Sequence, residues 1–437
     1  MAYFGLVFFA MLLGYTIYVG ISMSQHRLPL FAFYMAMALL TLGLVPSVAY
    51  LLQLNLPAAK VLQPMPITPW HYFTHIVPIL AMIVLGALDW KRDPTRDETS
   101  LVQRVSRTLQ EQPLVPFILL GLGLLAQLLT PQLPAVLRQA GVFGGMILWI
   151  GVIHLLFTSY SWPIKLGILL LLFIFMAYRA LQSTMFGDLF LWPVWLTFYA
   201  QLYYRWSSRA LWRAGGIGLL FLFLILVWKY DYRERVKQSA AEDHWRLFSK
   251  TTQDWAKNPW DNNRWQQALD RLNQGNHLAQ VYQWVPAHEP YARGATIWLA
   301  LQAALVPRIF WPDKPGAGGA HIWYRFTGNP LSPNCSMNIG AAGEAYANFG
   351  PWLAPFIVFA WVRLLYSAYH WLRKLATQHY PLLWLWTPLI FYPLMDQEND
   401  FITMLNHGFK ATLFTLAMCW SLHKLSGYLS KRKYSKP

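Results

Sequence analysis

The sequence predicts an all-α polytopic membrane protein with about 11 transmembrane helices and one large extracytoplasmic loop. Three observations carry that reading: apolar runs long enough to cross a bilayer, a scarcity of charge, and basic residues gathered in loops of one parity. Only 12% of the residues are charged and 56% are hydrophobic, with a mean hydropathy of +0.31; a globular domain carries roughly a quarter charged residues.

A bilayer core is crossed by about 20 apolar residues in helical form. Runs of that order lie at 3–22, 29–52, 71–89, 113–130, 141–160, 163–179, 187–204, 214–229, 350–370, 381–395 and 402–423, and 163–204 admits more than one division. Proline and glycine occur inside several, which membrane helices tolerate because neighbouring groups take up the freed backbone polar atoms. The first 22 residues lack a basic leader and a clear small-residue cleavage site, so they read as a retained helix.

Orientation follows from lysine and arginine in the short loops. Trp90–Gln112 carries Lys91, Arg92, Arg96, Arg104 and Arg107, and Arg205–Arg213 carries further arginines. Arg373-Lys374 follows the ninth run, and Lys431, Arg432, Lys433 and Lys436 close the chain. With 11 spans all four segments share one side, the cytoplasm, leaving the N-terminus outside and the C-terminus inside. The net charge of +16 is thereby explained by topology, and a nucleic-acid role is excluded. The chain divides into N-terminal membrane helices (1–229, about 8 spans), an extracytoplasmic loop (230–349) and a C-terminal part (350–437, about 3 spans and a basic tail).

The 230–349 loop is different material, with 12 basic and 10 acidic residues. Trp265, Leu269, Leu272, Leu278, Val281 and Val285 recur at helical spacing, so Asn262–Val285 predicts a short helical hairpin on the membrane body, broken at Gly275. Ala295–Val306 is apolar but only 12 residues long, about 18 Å as helix. It reads as a re-entrant or interfacial helix stopped by Pro307, since a crossing there would put Arg373-Lys374 outside. The two cysteines, Cys335 and Cys419, give no disulfide framework. There is no internal repeat or low-complexity linker.

Residues 306–350 concentrate the chemistry. Proline and glycine break regular structure over much of this stretch, while Trp311, Trp323, Tyr324, Phe326, Tyr346 and Phe349 argue against disorder. Arg308, Asp313, Lys314, His321, Arg325 and Glu344 gather in it, and a long irregular segment of that kind reads as a site.

Pro307-Arg308, then Trp311-Pro312-Asp313-Lys314-Pro315, and Gly343-Glu344-Ala345-Tyr346-Ala347-Asn348-Phe349-Gly350 opening a helix, resemble the oligosaccharide repeat-unit polymerases (O-antigen polymerase, Wzy-like), which are related to the O-antigen ligases. The helix pattern with one large late loop is similar over most of the chain, whereas the motif resemblance covers residues 306–350. The resemblance implies a glycosyltransferase of the bacterial cytoplasmic (inner) membrane. Such an enzyme polymerises glycans carried on undecaprenyl pyrophosphate at the outer face, with lipid-linked donor and acceptor and a chain-length regulator as partners.

That chemistry asks for cations on the leaving pyrophosphate and a base for the acceptor hydroxyl. Arg179, at the outer end of the sixth run, either anchors to lipid headgroups or clamps the pyrophosphate. Arg308 follows Pro307 and fits the family's arginine–glycine spacing with Gly319, whereas Arg179 has no glycine at the corresponding distance. Lys314 and Arg325 are further pyrophosphate candidates. Glu344, six residues before Gly350 and so expected at the membrane surface, is the candidate base, with His321 as the alternative. Asp396, Glu398 and Asp400 are a third option, with His407 and Lys410 placed to balance them. Three carboxylates without histidine are a loose ligand set, so no metal or cofactor is expected. Trp311, Trp323 and Tyr324 are candidates to stack on sugar rings.

Three other functions stand beside it. A ligase that moves the finished glycan to a lipid or protein acceptor shares the architecture. A transporter or flippase predicts charges buried mid-membrane and internal symmetry, neither of which the sequence favours. A cysteine protease built on Cys335 and His321 lacks a nucleophile motif.

Overall fold

In the computed structural model the chain is helical, and no strand occurs among the described residues. The structure describes residues 1–24, 26–57, 61, 63–88, 98–239, 243–258, 262–308, 310–316, 319–332 and 336–434, with backbone alone at 135–138, 262, 423 and 425–434. Lys91, Arg92, Arg96, Cys335 and Lys436, and the side chains of Lys431, Arg432 and Lys433, lie outside the described residues.

The first two apolar runs are α1 (Ala2–Met23) and a continuous column of α2 (Leu30–Ala38), a π-helical stretch (Leu39–Leu44) and α3 (Val45–Asn55). The third, α4 (Pro69–Ala87), opens with Thr68, whose hydroxyl accepts from His71 N. The basic stretch after it contains a helix that the run-length reading overlooks, α5 (Thr99–Glu111). Leu101, Val102, Val105 and Leu109 recur at helical spacing and bury one face, while Gln103, Arg107 and Gln110 are exposed on the other.

Next come α6 (Val115–Leu129), α7 (Ala135–Leu156), α8 (Trp162–Ser183), α9 (Asp188–Tyr204) and α10 (Ser208–Gln238). The last runs past the expected 214–229 at both ends. The α6–α7 pair packs closely because Gly123 lacks a side chain: a Cβ there would stand 2.4 Å from Leu148 N.

The central segment forms α11 (His244–Lys257), α12 (Asn262–Leu272), α13 (Gln274–Trp284), α14 (Ala295–Leu305) and α15 (Ala320–Thr327). The expected hairpin is present, but its break falls at Asn273 rather than Gly275. The Asn273 side chain accepts from Asn276 N and starts a new helix. Gly275 lies inside α13, against Pro46 and Tyr72.

Three helices close the chain: α16 (Gly340–Gln378), α17 (Thr387–Phe391) and α18 (Phe401–Tyr434). α16 starts ten residues before Gly350, where a helix was expected to open, and is bent there, with φ 73° and ψ −175° at Gly350. A glycine accepts that backbone, and Pro351 restarts the helix. Residues 340–349 thus form a separate half-helix, and part of the segment expected to be irregular is helical in α15.

Among the described residues eight helices are long and apolar enough to cross a membrane. They correspond to all of the predicted runs except 187–204, 381–395 and 402–423.

The loops touch in two sets. In one, Glu98 N donates to His26 O at 2.9 Å, Ser106 Oγ to Phe157 O at 3.1 Å, and Arg104 to Thr377 O. In the other, Asn276 Nδ2 donates to Pro64 O at 3.2 Å, Arg233 Nε to Thr184 O at 3.1 Å, and Gln274 Nε2 to Glu398 Oε1 at 2.8 Å.

Candidate functional site

The short helix α14 positions two groups of polar side chains. It packs along the first part of α18 and runs in the same direction. Its first turn meets the start of α18 through Glu344, and the loop after its last turn reaches Lys410 further down.

Glu344 is 1% exposed, and both of its oxygens are held. Thr296 Oγ1 donates to Oε1 at 2.6 Å and Phe401 N donates to Oε2 at 2.7 Å. Asn348 Nδ2 donates to Thr296 Oγ1 and to Glu344 O, both at 2.7 Å, while its Oδ1 accepts from Gly294 N at 3.0 Å. The bend at Gly350 interrupts the helix ladder, and Ala292 N and Arg293 N donate instead to Ala347 O and Asn348 O, at 3.0 and 2.9 Å.

Asp400, fully buried, accepts from Thr403 N at 2.9 Å through Oδ1. Two carboxylates therefore sit on the N-terminus of α18, where the free N–H groups and the helix dipole favour negative charge. Burial pushes the Asp400 carboxyl above its ordinary range. The sequence places Glu344 at the membrane surface. The structure encloses it in protein, because its half-helix packs against α13, α14 and α18.

The second group is cationic. Arg308 is exposed and reaches Pro312 O at 3.5 Å, and Lys314, 6% exposed, donates to Val306 O at 3.0 Å. Burial lowers the Lys314 ammonium from its ordinary value, and the neighbouring Lys410 and Arg308 charges lower it further. None of the three has an ion-pair partner among the described residues. Lys410 was expected to balance the acids at 396–400 and sits among cations instead. His407 gives its ring to Leu389 O at 3.0 Å and packs on Phe143. Phe310, 79% exposed, adds an aromatic face beside Arg308 in the chain.

The remaining candidates are distributed elsewhere. Arg179 is half-buried on α8, which packs on α7, α9 and α11, whereas α14 packs on α16 and α18. Arg325 is engaged, donating to Glu289 Oε1 at 2.6 Å and lying over the Phe326 ring. His321 is exposed in the first turn of α15. Of the three stacking candidates Trp323 is buried with its edge on His277, Trp311 is partly buried, and Tyr324 is 59% exposed.

The acids of 396–400 divide. Asp400 caps α18, while Glu398 approaches Arg271 at 3.7 Å and accepts from Gln274. Asp396 accepts from Glu398 N at 3.0 Å, and burial, then the Glu398 charge, raise it to about 6. Sequence reasoning missed Thr296 and Asn348, and a polar pair inside otherwise apolar or small-residue helices is the signal that would have found them.

Compared with models of known families, with curated proteins and with solved structures, the chain matches none.

Proposed function

We propose that the chain is a membrane glycosyltransferase that polymerises polyprenyl-pyrophosphate-linked oligosaccharides at the outer face of the membrane. One observation carries this reading: Arg308, Lys314 and Lys410 converge from a loop and a helix, and among the described residues no carboxylate pairs with any of them. Clustered cations repel, and a polyanion relieves that repulsion. A pyrophosphate offers several anionic oxygens to such a group, and a guanidinium fork matches them in pairs. The two sets of touching loops support 11 spans with 230–349 outside and the basic loops inside.

In this reading Arg308, Lys314 and Lys410 hold the donor pyrophosphate and stabilise the charge it gains as the glycosyl bond breaks. Nine residues of helix separate Phe401 from Lys410, about 13 Å at 1.5 Å per residue, which is too far for Glu344 to meet a sugar hydroxyl beside that pyrophosphate. Glu344 therefore acts by fixing α14 on α18, and so the loop that carries Arg308. His321, exposed in the first turn of α15, is the alternative base of the sequence reading and the next residue to test.

The test uses purified full-length protein in lipid nanodiscs with a lipid-linked repeat unit. Arg308→Ala should weaken donor binding by about tenfold or more, the loss expected when a charge-assisted contact is removed. Arg308→Lys should recover only part of it. His321→Gln should lower turnover by about 10²-fold or more, as for a lost general base, with donor binding kept. A folded Arg308→Ala/Lys410→Ala protein that polymerises at the wild-type rate would remove the proposal. Transfer of finished glycan to a lipid or protein acceptor, without chain growth, would convert it to the ligase reading.

A further inference from the structure

An open groove of about 510 Å³ lies between α5 and the end of α9, on the side where the basic loops gather. Arg107, Gln103 and Gln110 line it from the polar face of α5, and Arg205 lines it from the end of α9. Val102 and Leu202 form an apolar part of its wall. Among the described residues no aspartate or glutamate lines it.

Neither arginine is used up by the fold. Among the described residues Arg107 pairs with Glu111 alone, at 3.6 Å, with the two side chains 84% and 66% exposed, an arrangement that holds little. Arg205 ends α9 in the left-handed region, with φ 52° and ψ 50°. Glycine or asparagine suits that backbone better than a long side chain does, so an arginine there points to a use for its guanidinium. The carbonyl end of α9 disfavours an anion, but Gln201 O is already taken by Arg205 N at 2.8 Å.

We propose that this open groove binds a phosphate group, carried either by an anionic lipid headgroup of the inner leaflet or by a soluble phosphate compound. Two guanidinium forks and two carboxamides supply the donors a phosphate accepts. The apolar wall suits the first carbons of an acyl chain, and basic pockets beside membrane helices on the cytoplasmic side take anionic headgroups on the same physical grounds. The inference is independent of the reaction proposed above.

The experiment titrates full-length protein in detergent with phosphatidylglycerol, with zwitterionic phosphatidylcholine and with inorganic phosphate. Retained lipid is counted by native mass spectrometry and binding is followed by the melting temperature. Arg107→Gln/Arg205→Asn keeps hydrogen-bonding groups and places asparagine where the backbone favours it; Arg107→Gln alone serves if the double variant melts early without ligand. Exposed Arg213→Gln controls for a general loss of charge. Phosphatidylglycerol should bind more tightly than phosphatidylcholine. The double variant should lose about tenfold or more of that affinity, the worth of one charge-assisted hydrogen bond, with Arg213→Gln unchanged. Tight phosphatidylglycerol binding that inorganic phosphate does not displace assigns the lipid; phosphate binding without lipid preference assigns the soluble compound. A smaller loss for both probes, or an equal loss in Arg213→Gln, overturns the proposal.

Discussion

Thr296 shows how much one hydroxyl can join. It donates to the Glu344 carboxylate and accepts from Asn348, so α14 is tied to the half-helix of α16 and, through Glu344, to the first residue of α18. Thr296→Val keeps the shape and removes both bonds, leaving a buried carboxylate oxygen without its donor. That should cost about 1–3 kcal/mol, read as a lower melting temperature that Thr296→Ser largely restores. Glu98 is the counterpart beside the other set of loops, accepting from Leu28 N at 2.8 Å and from the Tyr369 hydroxyl. Burial raises it from 4.5 to about 7, against the pull of those donors and of Arg373 and Arg27. The folded protein therefore keeps this proton over a range where the unfolded chain releases it. Stability linked to Glu98 is fully present below about pH 4.5 and is lost as pH rises through about 7. Melting temperatures from pH 5 to 8 should fall less steeply in Glu98→Gln than in the wild type, and equal slopes would dismiss the effect. The sequence singles out Glu344, Arg308 and Lys314 by residue type and motif. It does not single out Thr296 or Glu98, because a threonine in an apolar stretch and an acid in a basic one look ordinary until their distant partners are known.

At the scale of elements, close approach and bending decide what the apolar runs become. Gly123→Val would drive a side chain into the Leu148 backbone, so α6 and α7 must part. Overpacking of this kind costs about 1–3 kcal/mol or more, and monodisperse yield and melting temperature should both fall. Gly121→Ala, two residues away and facing open space, should change neither. The apolar runs were legible because length and composition report burial in lipid directly. Boundaries were less so. Asn273 ends α12 by capping α13, and the bend at Gly350 needs a neighbouring loop to fill its freed carbonyls. The amphipathic pattern of α5 was present in Leu101, Val105 and Leu109 but fell inside a stretch whose charges drew attention first.

For the whole molecule, the arrangement of loops predicts which surfaces a membrane-impermeant thiol reagent can reach. With Cys335 and Cys419 replaced by alanine, Ser249→Cys on exposed α11 should label in intact cells. Gln110→Cys on α5 should label only after the membrane is opened. Labelling of Gln110→Cys in intact cells would reverse the orientation. The parallel seating of α14 on α18 also bears on biosynthesis. α14 leaves the ribosome well before the helix it lies against, carrying a threonine whose carboxylate partner and the backbone N–H of Phe401 do not yet exist. The cationic group cannot form until α18 arrives, since Lys410 belongs to it. A chain cut short before Phe401 would thus retain most of its apolar runs without the Phe401 N–H or Lys410, and the synthesis of α18 sets the moment at which these contacts can close.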